Sequence, residues 1–179
     1  MPARDPQGGV AAPSVRGPRP RCAGEASRLI AQHWRALVAT VGHGEADWGR
    51  AQEAIRRWRA HHGAGLTVTP ETAPIEEGGT VVVSRNLGPV LLVAPCRIVY
   101  TTATATRFGF AYATLPGHPE QGEEAFHVTF DDDRVVAEIV AFSRPADLPT
   151  RLAGPLARQI QKAATKRYIS GIRSYAQGK

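Results

Sequence analysis

The sequence predicts an α+β protein: helices first, a run of short strands in the middle, one long helix at the end. Three observations carry this. Apolar residues recur at helical spacing up to about His62, they alternate from Leu66 to Ala141, and helical spacing returns from about Thr150 to Gln177. The 179 residues suit one domain with a sizeable core.

The elements follow in order. Residues 1–24 are rich in Pro, Gly, Ala and Arg, show no periodicity, and are expected to form a disordered basic tail. Residues 25–179 form the single expected domain. Glu25 to Val41 is expected as a helix, since Leu29, Ile30, Trp34, Leu37 and Val38 share a face, and Gly42 and Gly44 end it. A second helix is expected from about Glu45 to His62, with Trp48, Ala51, Ile55, Trp58 and His62 on its stripe. Gly63 and Gly65 stop it. Strands are expected at Leu66–Thr69, Thr80–Arg85, Val90–Ala94 and Arg97–Thr104, with Pro95 marking a bulge or an edge. The turn Asn86-Leu87-Gly88 joins the second of these to the third. Three more strands fill the stretch from Arg107 to Pro145. The last helix runs from Pro149 or Thr150 to about Gln177.

Charge divides the chain. Residues 1–24 carry four Arg and one Asp, residues 151–179 carry seven Lys/Arg and no acid, and the middle is net acidic. Attraction to phosphate or anionic lipid therefore belongs to the two ends. No run approaches the roughly 18 apolar residues of a membrane span. Residues 1–24 lack an apolar signal core, so a cytoplasmic protein is expected. Cys22 and Cys96 are isolated and suggest neither a disulfide nor a zinc site. The chain has no H-E-x-x-H, G-x-S-x-G, phosphate-binding loop or G-x-G-x-x-G, which counts against hydrolase and nucleotide chemistry. No metal and no cofactor is expected. His61 and His62 read as cations complementing a helix C-terminus.

The stretch from Arg107 to Pro145 carries the candidate site. Phe108, Phe110, Tyr112 and Thr114 share one face of their strand, and Gly109, Ala111, Ala113 and Leu115 share the other. Glu124, Phe126, Val128 and Phe130 share a face of the next strand. Matching the apolar faces places Phe130 opposite Val135, His127 opposite Glu138, Thr114 opposite Glu124 and Tyr112 opposite Phe126. Glu124 then points toward the core, where a carboxylate is costly unless paired or protonated. With Tyr112, Thr114 and His118 it makes a polar cluster ending an apolar wall, as in ligand pockets. The alternative is a strand-end carboxylate that escapes to solvent. Arg144 is a candidate fixed cation for an anionic ligand, or ties the sheet to the last helix. On that helix Arg151, Arg158, Lys162, Lys166 and Arg173 share one arc, and Leu152, Leu156, Ile160, Ala163 and Ala164 share the opposite one. Arg167 falls inside the apolar arc. It either pairs with Glu124 or snorkels to the rim.

These residues resemble a known group, domain of unknown function 1990, also called uncharacterised protein family 0548. The most specific block is GFAYATLPGHPEQGEEAF, Gly109 to Phe126, followed by AFSRP at Ala141 to Pro145. APCRIVY at Ala94 to Tyr100, the segment from Val41 to Leu66, and GPLARQIQ at Gly154 to Gln161 are similar too. The chain departs from the pattern at its start, where no extended aromatic segment leads to a Gly-Tyr pair. Whether a first strand precedes the helices stays open. The order of elements implied is a helix-grip, or START-like, fold: one or two helices, a curved antiparallel sheet of about six strands, then a long helix lying across it.

Three functions follow as expectations. The first is binding of a small apolar or amphipathic molecule between sheet and last helix, with Phe108, Phe110, Tyr112, Thr114, Glu124, Phe126, Arg144 and Arg167 as candidate contacts. The second is an enzyme in the same place, using Glu124 as base with Tyr112 or His118 for proton abstraction or cyclisation. The third is weak contact of the basic C-terminal helix with anionic lipid. No RRM, KH or helix-turn-helix signature supports nucleic-acid binding.

Overall fold

The computed structural model describes residues 33–145 and 154–179, with side chains at 36–142 and 165–179. The expected tail, residues 1–24 with Cys22, lies outside them. The elements are β1 (His33–His43), α1 (Gly44–Arg56), α2 (Arg59–Gly63), β2 (Thr67–Thr69), β3 (Thr80–Asn86), β4 (Leu91–Ala103), β5 (Arg107–Thr114), β6 (Glu120–Asp131), β7 (Arg134–Pro145) and α3 (Gly154–Ala176). The strands form one curled antiparallel sheet of seven, in the order β1-β7-β6-β5-β4-β3-β2. The three helices pack on its inner face.

The first expected helix is corrected over its described part; residues 25–32 lie outside the described residues. From His33 the chain is strand, paired along β7 from His33↔Ser143 to His43↔Arg134. Leu37, Ala39 and Val41 point inward, while Ala36, Val38 and Thr40 are exposed. A short run such as Leu-Val-Ala-Thr-Val fits either period. Tertiary pairing with an open strand edge decides it here. This strand brings the sheet to seven rather than about six.

The second helix is present but broken. Its two parts meet at Trp58, which is buried with φ 54° in the left-handed region. The turn aims α2 across the sheet, and the Trp58 indole N–H donates to the Ala73 carbonyl at 3.1 Å. Gly63 and Gly171 then bring α2 and α3 backbone to backbone. A Cβ on Gly63 would stand 2.6 Å from the Gly171 Cα, and one on Gly171 would stand 2.2 Å from the Arg59 carbonyl oxygen.

Pro95 neither bulges β4 nor sits on an outer strand. It pairs with Val82 of β3, and its carbonyl accepts from the Leu115 N–H at 2.9 Å. A strand residue turns its N and O to the same side. The missing N–H therefore falls on the β5 side, where the β4–β5 ladder starts only at Cys96↔Thr114. The proline stands at the end of that ladder and costs it nothing inside. The bulge of this strand pair lies between Ile98 and Tyr100 instead.

The β6–β7 register is as expected, with Phe130↔Val135 and His127↔Glu138 directly opposed. His127 faces outward, away from Phe126 and Val128, yet is itself buried. Its ring stacks on Tyr100 with centroids 6.0 Å apart and lies across Gly109, whose Cβ would meet the His127 Cδ2 at 2.6 Å. This is why that face of β5 is so small. Glu138 takes its charge partner from Arg107 at 2.7 Å rather than from His127. Burial, then the Arg107 charge, pushes the His127 pKa down to about 4.

The β5–β6 register is two residues off the expectation, although the parity holds. Tyr112 opposes Glu124 and Phe110 opposes Phe126. The Phe110 and Phe126 rings stack at 5.4 Å, and the turn is centred one residue earlier than expected. Thr114 does not oppose Glu124 but accepts from the Gly122 N–H at 3.1 Å. The core is one apolar cluster on the inner face, including Val41, Ile55, Trp58, Ile98, Phe110, Phe126, Ile139 and Ile172. Among the described residues no helix is long and apolar enough to cross a membrane.

Candidate functional site

The site is a line of polar side chains set into the aromatic core. Tyr112 Oη donates to Glu124 Oε2 at 2.8 Å. On its other side Tyr112 Oη lies 3.1 Å from His61 Nε2. The three belong to β5, β6 and α2. The strands supply the first pair by direct opposition, and the left-handed turn at Trp58 brings His61 over it. Rings enclose His61 on several sides: Phe126 at 4.8 Å, Trp58 at 5.1 Å, Tyr168 at 5.4 Å and Tyr112 at 5.7 Å.

Burial sets the charges. His61 is 1% exposed, and desolvation, with the His62 charge, takes its pKa down to about 3, so it is neutral. The sequence reading of His61 as a cation at a helix end is corrected by this burial. Its Nδ1 has no partner among the described residues. Glu124 keeps part of its surface open. Desolvation nevertheless pushes its pKa up to about 7. The Tyr112 hydrogen bond pulls the other way, and the Glu120 charge adds to the rise. Tyr112 and Tyr168 are held well above the usual phenol value, by burial first and by Glu124 second. Cys96, buried on the same face, is pushed up to about 12 by burial and then by Glu124.

The chain of hydrogen bonds has two directions. With Glu124 ionised, His61 Nε2–H donates to Tyr112 and Tyr112 donates to Glu124. In the reversed order, open only to a protonated Glu124, His61 carries its proton on Nδ1, which has no partner among the described residues. An orphaned buried N–H is rarer than an orphaned acceptor. The first arrangement is therefore the better satisfied.

The other candidates fall as follows. Phe110 and Phe126 are buried in the wall. Phe108 lies partly exposed farther along β5, with the Arg56 guanidinium 4.2 Å from its ring centre. His118 accepts from the Glu120 N–H through Nδ1 at 2.9 Å, tying its own loop. Arg144 opposes Gln121 in the ladder, and its side chain lies outside the described residues. Arg167 is exposed, and Glu124 bonds Tyr112 rather than Arg167. The buried residues of this half of α3 are Tyr168, Ile169, Ile172 and Ala176, which leave residue 167 off the stripe. The expected apolar arc was drawn from residues 152–164, whose side chains lie outside the described residues.

Sequence reasoning missed His61, Tyr168 and Arg85. Arg85 shares the inward parity of Val81 and Val83 on β3, and its charge reaches Tyr168. That parity was available in the sequence. His61 was not, because it depends on a left-handed tryptophan. Among the described residues no group of three or more His, Cys, Asp or Glu side chains stands ready to hold a metal ion.

The model of the family described as Domain of unknown function (DUF1990) matches residues 26–171. The chain belongs to this family. A relative called UPF0548 protein, from Deinococcus radiodurans, is 33% identical over 139 residues, covering 72% of this chain and 70% of the relative. Among solved structures, a hypothetical protein from Helicobacter pylori aligns with TM-score 0.64 at 10% identity, over 93% of this chain and 98% of its own. The Zhui aromatase/cyclase from Streptomyces sp. R1128 aligns with TM-score 0.52 at 16% identity, over 81% of this chain and 94% of its own. At such identities the likeness is one of fold. The DUF1990 chain has the helix-grip, START-like architecture.

Proposed function

We propose that the protein binds one small apolar or amphipathic molecule between the sheet and α3. The observation that supports this most is Glu124: a carboxylate on the inner, apolar face, partly open, held by a buried phenol. The apolar body would lie toward Phe126 and its neighbours. A hydroxyl or amine of the ligand would meet the open side of Glu124, with Thr114 nearby on the adjoining strand. Arg144 stays a candidate for an anionic substituent. Native mass spectrometry of protein purified from its own host tests this. A retained mass that is shed on denaturation supports it, and a bare chain from several preparations counts against it.

A second reading is acid–base chemistry in the same place, favoured by the continuous line from His61 through Tyr112 to Glu124. A carboxyl titrating near neutrality suits a general base. Tyr112 would hold it and His61 would orient Tyr112. One solved neighbour is described as an aromatase/cyclase, which fits proton abstraction or ring closure without assigning either. Solvent deuterium exchange into a retained ligand, lost in Glu124→Gln while binding persists, would separate catalysis from carriage.

A further inference from the structure

The β3–β4 hairpin outruns the rest of the sheet. Its ladder continues to Asn86↔Leu91, and Leu87 N–H closes the tip on the Val90 carbonyl at 2.8 Å. On one side β2 pairs with β3 only up to Thr67↔Ser84. On the other side β5 joins β4 only from Cys96↔Thr114. Arg85, Asn86, Leu91 and Leu92 thus stand in a finger two strands wide.

The tip and the β4 side of this finger are apolar and bare. Leu87 is 53% exposed, Val90 59%, Leu91 62%, Leu92 39% and Val93 43%. An edge hairpin in water alternates polar and apolar residues. Here residues 90–93 are apolar at every position, so both faces of β4 present hydrocarbon. A groove on another protein covers one face of a strand. A medium that surrounds the tip covers both, and a bilayer interface is such a medium. The charge around the finger fits as well. From residue 78 to residue 119 there is no Asp or Glu, while Arg85 stands in the finger itself, opposite Leu92.

We propose that the β3–β4 finger inserts its tip into the surface of an anionic bilayer. Leu87, Val90 and Leu91 enter the acyl boundary first, and Arg85 stays at the headgroups, where a cation near an anionic leaflet adds to the attraction. This places the membrane contact on the hairpin rather than on the C-terminal helix. It rests on none of the functional readings above.

The experiment is co-sedimentation of the full chain with vesicles of phosphatidylcholine plus phosphatidylserine, beside vesicles of phosphatidylcholine alone. Expected are binding to the anionic vesicles, weaker binding to the neutral ones, and at least about a tenfold loss for Val90→Asp/Leu91→Asp, whose sites are exposed and whose circular dichroism should be unchanged. In Leu91→Trp the added emission should shift to the blue and be quenched by lipid brominated in its acyl chains. Vesicle binding that the double variant retains, or equal binding to neutral vesicles, overturns the proposal. So does a chain that ignores vesicles but forms a dimer which the double variant dissolves, since the finger would then pair with a second copy.

Discussion

Tyr112 and Glu124 face each other directly across β5 and β6, and the phenol donates to the carboxylate at 2.8 Å. The same oxygen meets His61, so one hydroxyl satisfies two buried groups. Tyr112→Phe keeps the ring and removes both bonds. A loss of about 1–3 kcal/mol is expected, because His61 and Glu124 are left unpaired. The carboxyl pKa should also rise further, since this hydrogen bond is what lowers it. Urea melts and a carbon-detected titration of Glu124 read the two effects. An unchanged carboxyl titration would show that the phenol does not hold Glu124 in solution.

Glu124 gives stability a distinctive slope with pH. The folded chain keeps its proton up to about 7, whereas the ordinary carboxyl releases it at 4.5. Between those values the folded state binds more protons than the unfolded state. Stability from this group therefore falls as pH rises through the window, and levels off above it. In Glu124→Gln the slope disappears. The variant should gain on the wild type across the window, by at most about 1.4 kcal/mol per pH unit. Parallel curves for the two proteins would contradict it.

The buried histidines act in the opposite sense. His61 and His127 are depressed to about 3 and about 4 from 6.5. From 6.5 down to about 4 the unfolded chain takes up protons that the folded chain refuses, so acid erodes stability there. His127→Gln should flatten part of this limb whatever it does to the absolute value. Denaturant midpoints of both proteins over that range check it.

Two glycines separate close approach from idle flexibility. A Cβ at residue 171 would stand 2.2 Å from a backbone oxygen, whereas one at residue 49 of α1 would meet nothing within 4 Å. Gly171→Ala should cost about 1–3 kcal/mol through overpacking. Gly49→Ala should gain up to about 1 kcal/mol from helix propensity. Thermal melts of the pair decide it, and equal effects would mean that the two helices can part at no cost.

Much of this was legible in the residues. Alternation in Phe108–Thr114 and Glu124–Phe130 gave the inward faces, and the three-aspartate turn fixed the β6–β7 register. The β5–β6 register slipped because the loop from Leu115 to Pro119 leaves its length ambiguous, and only stacking of Phe110 on Phe126 resolves it. β1 was misread because its apolar spacing suits both periods until a strand edge selects one. The inward direction of Glu124 and Tyr112 followed from parity. His61 escaped because nothing in a helical stripe announces a left-handed residue that turns the following histidine inward. Arg167 was misplaced because its phase was extrapolated from residues 152–164, whereas the buried stripe at its own end is Tyr168, Ile169, Ile172 and Ala176.

The meeting of Gly63 with Gly171 works as a gauge block. Where the two backbones touch, no side chain separates them, and a layer of rings lies beneath α3 nearby: Tyr168 stands 5.2 Å from Phe126, with His61 beside both. Those rings already rest on one another. A guest of the proposed kind would therefore lie against that layer on the Glu124 side rather than within it. The choice of guest would then be a matter of measure before it is one of chemistry.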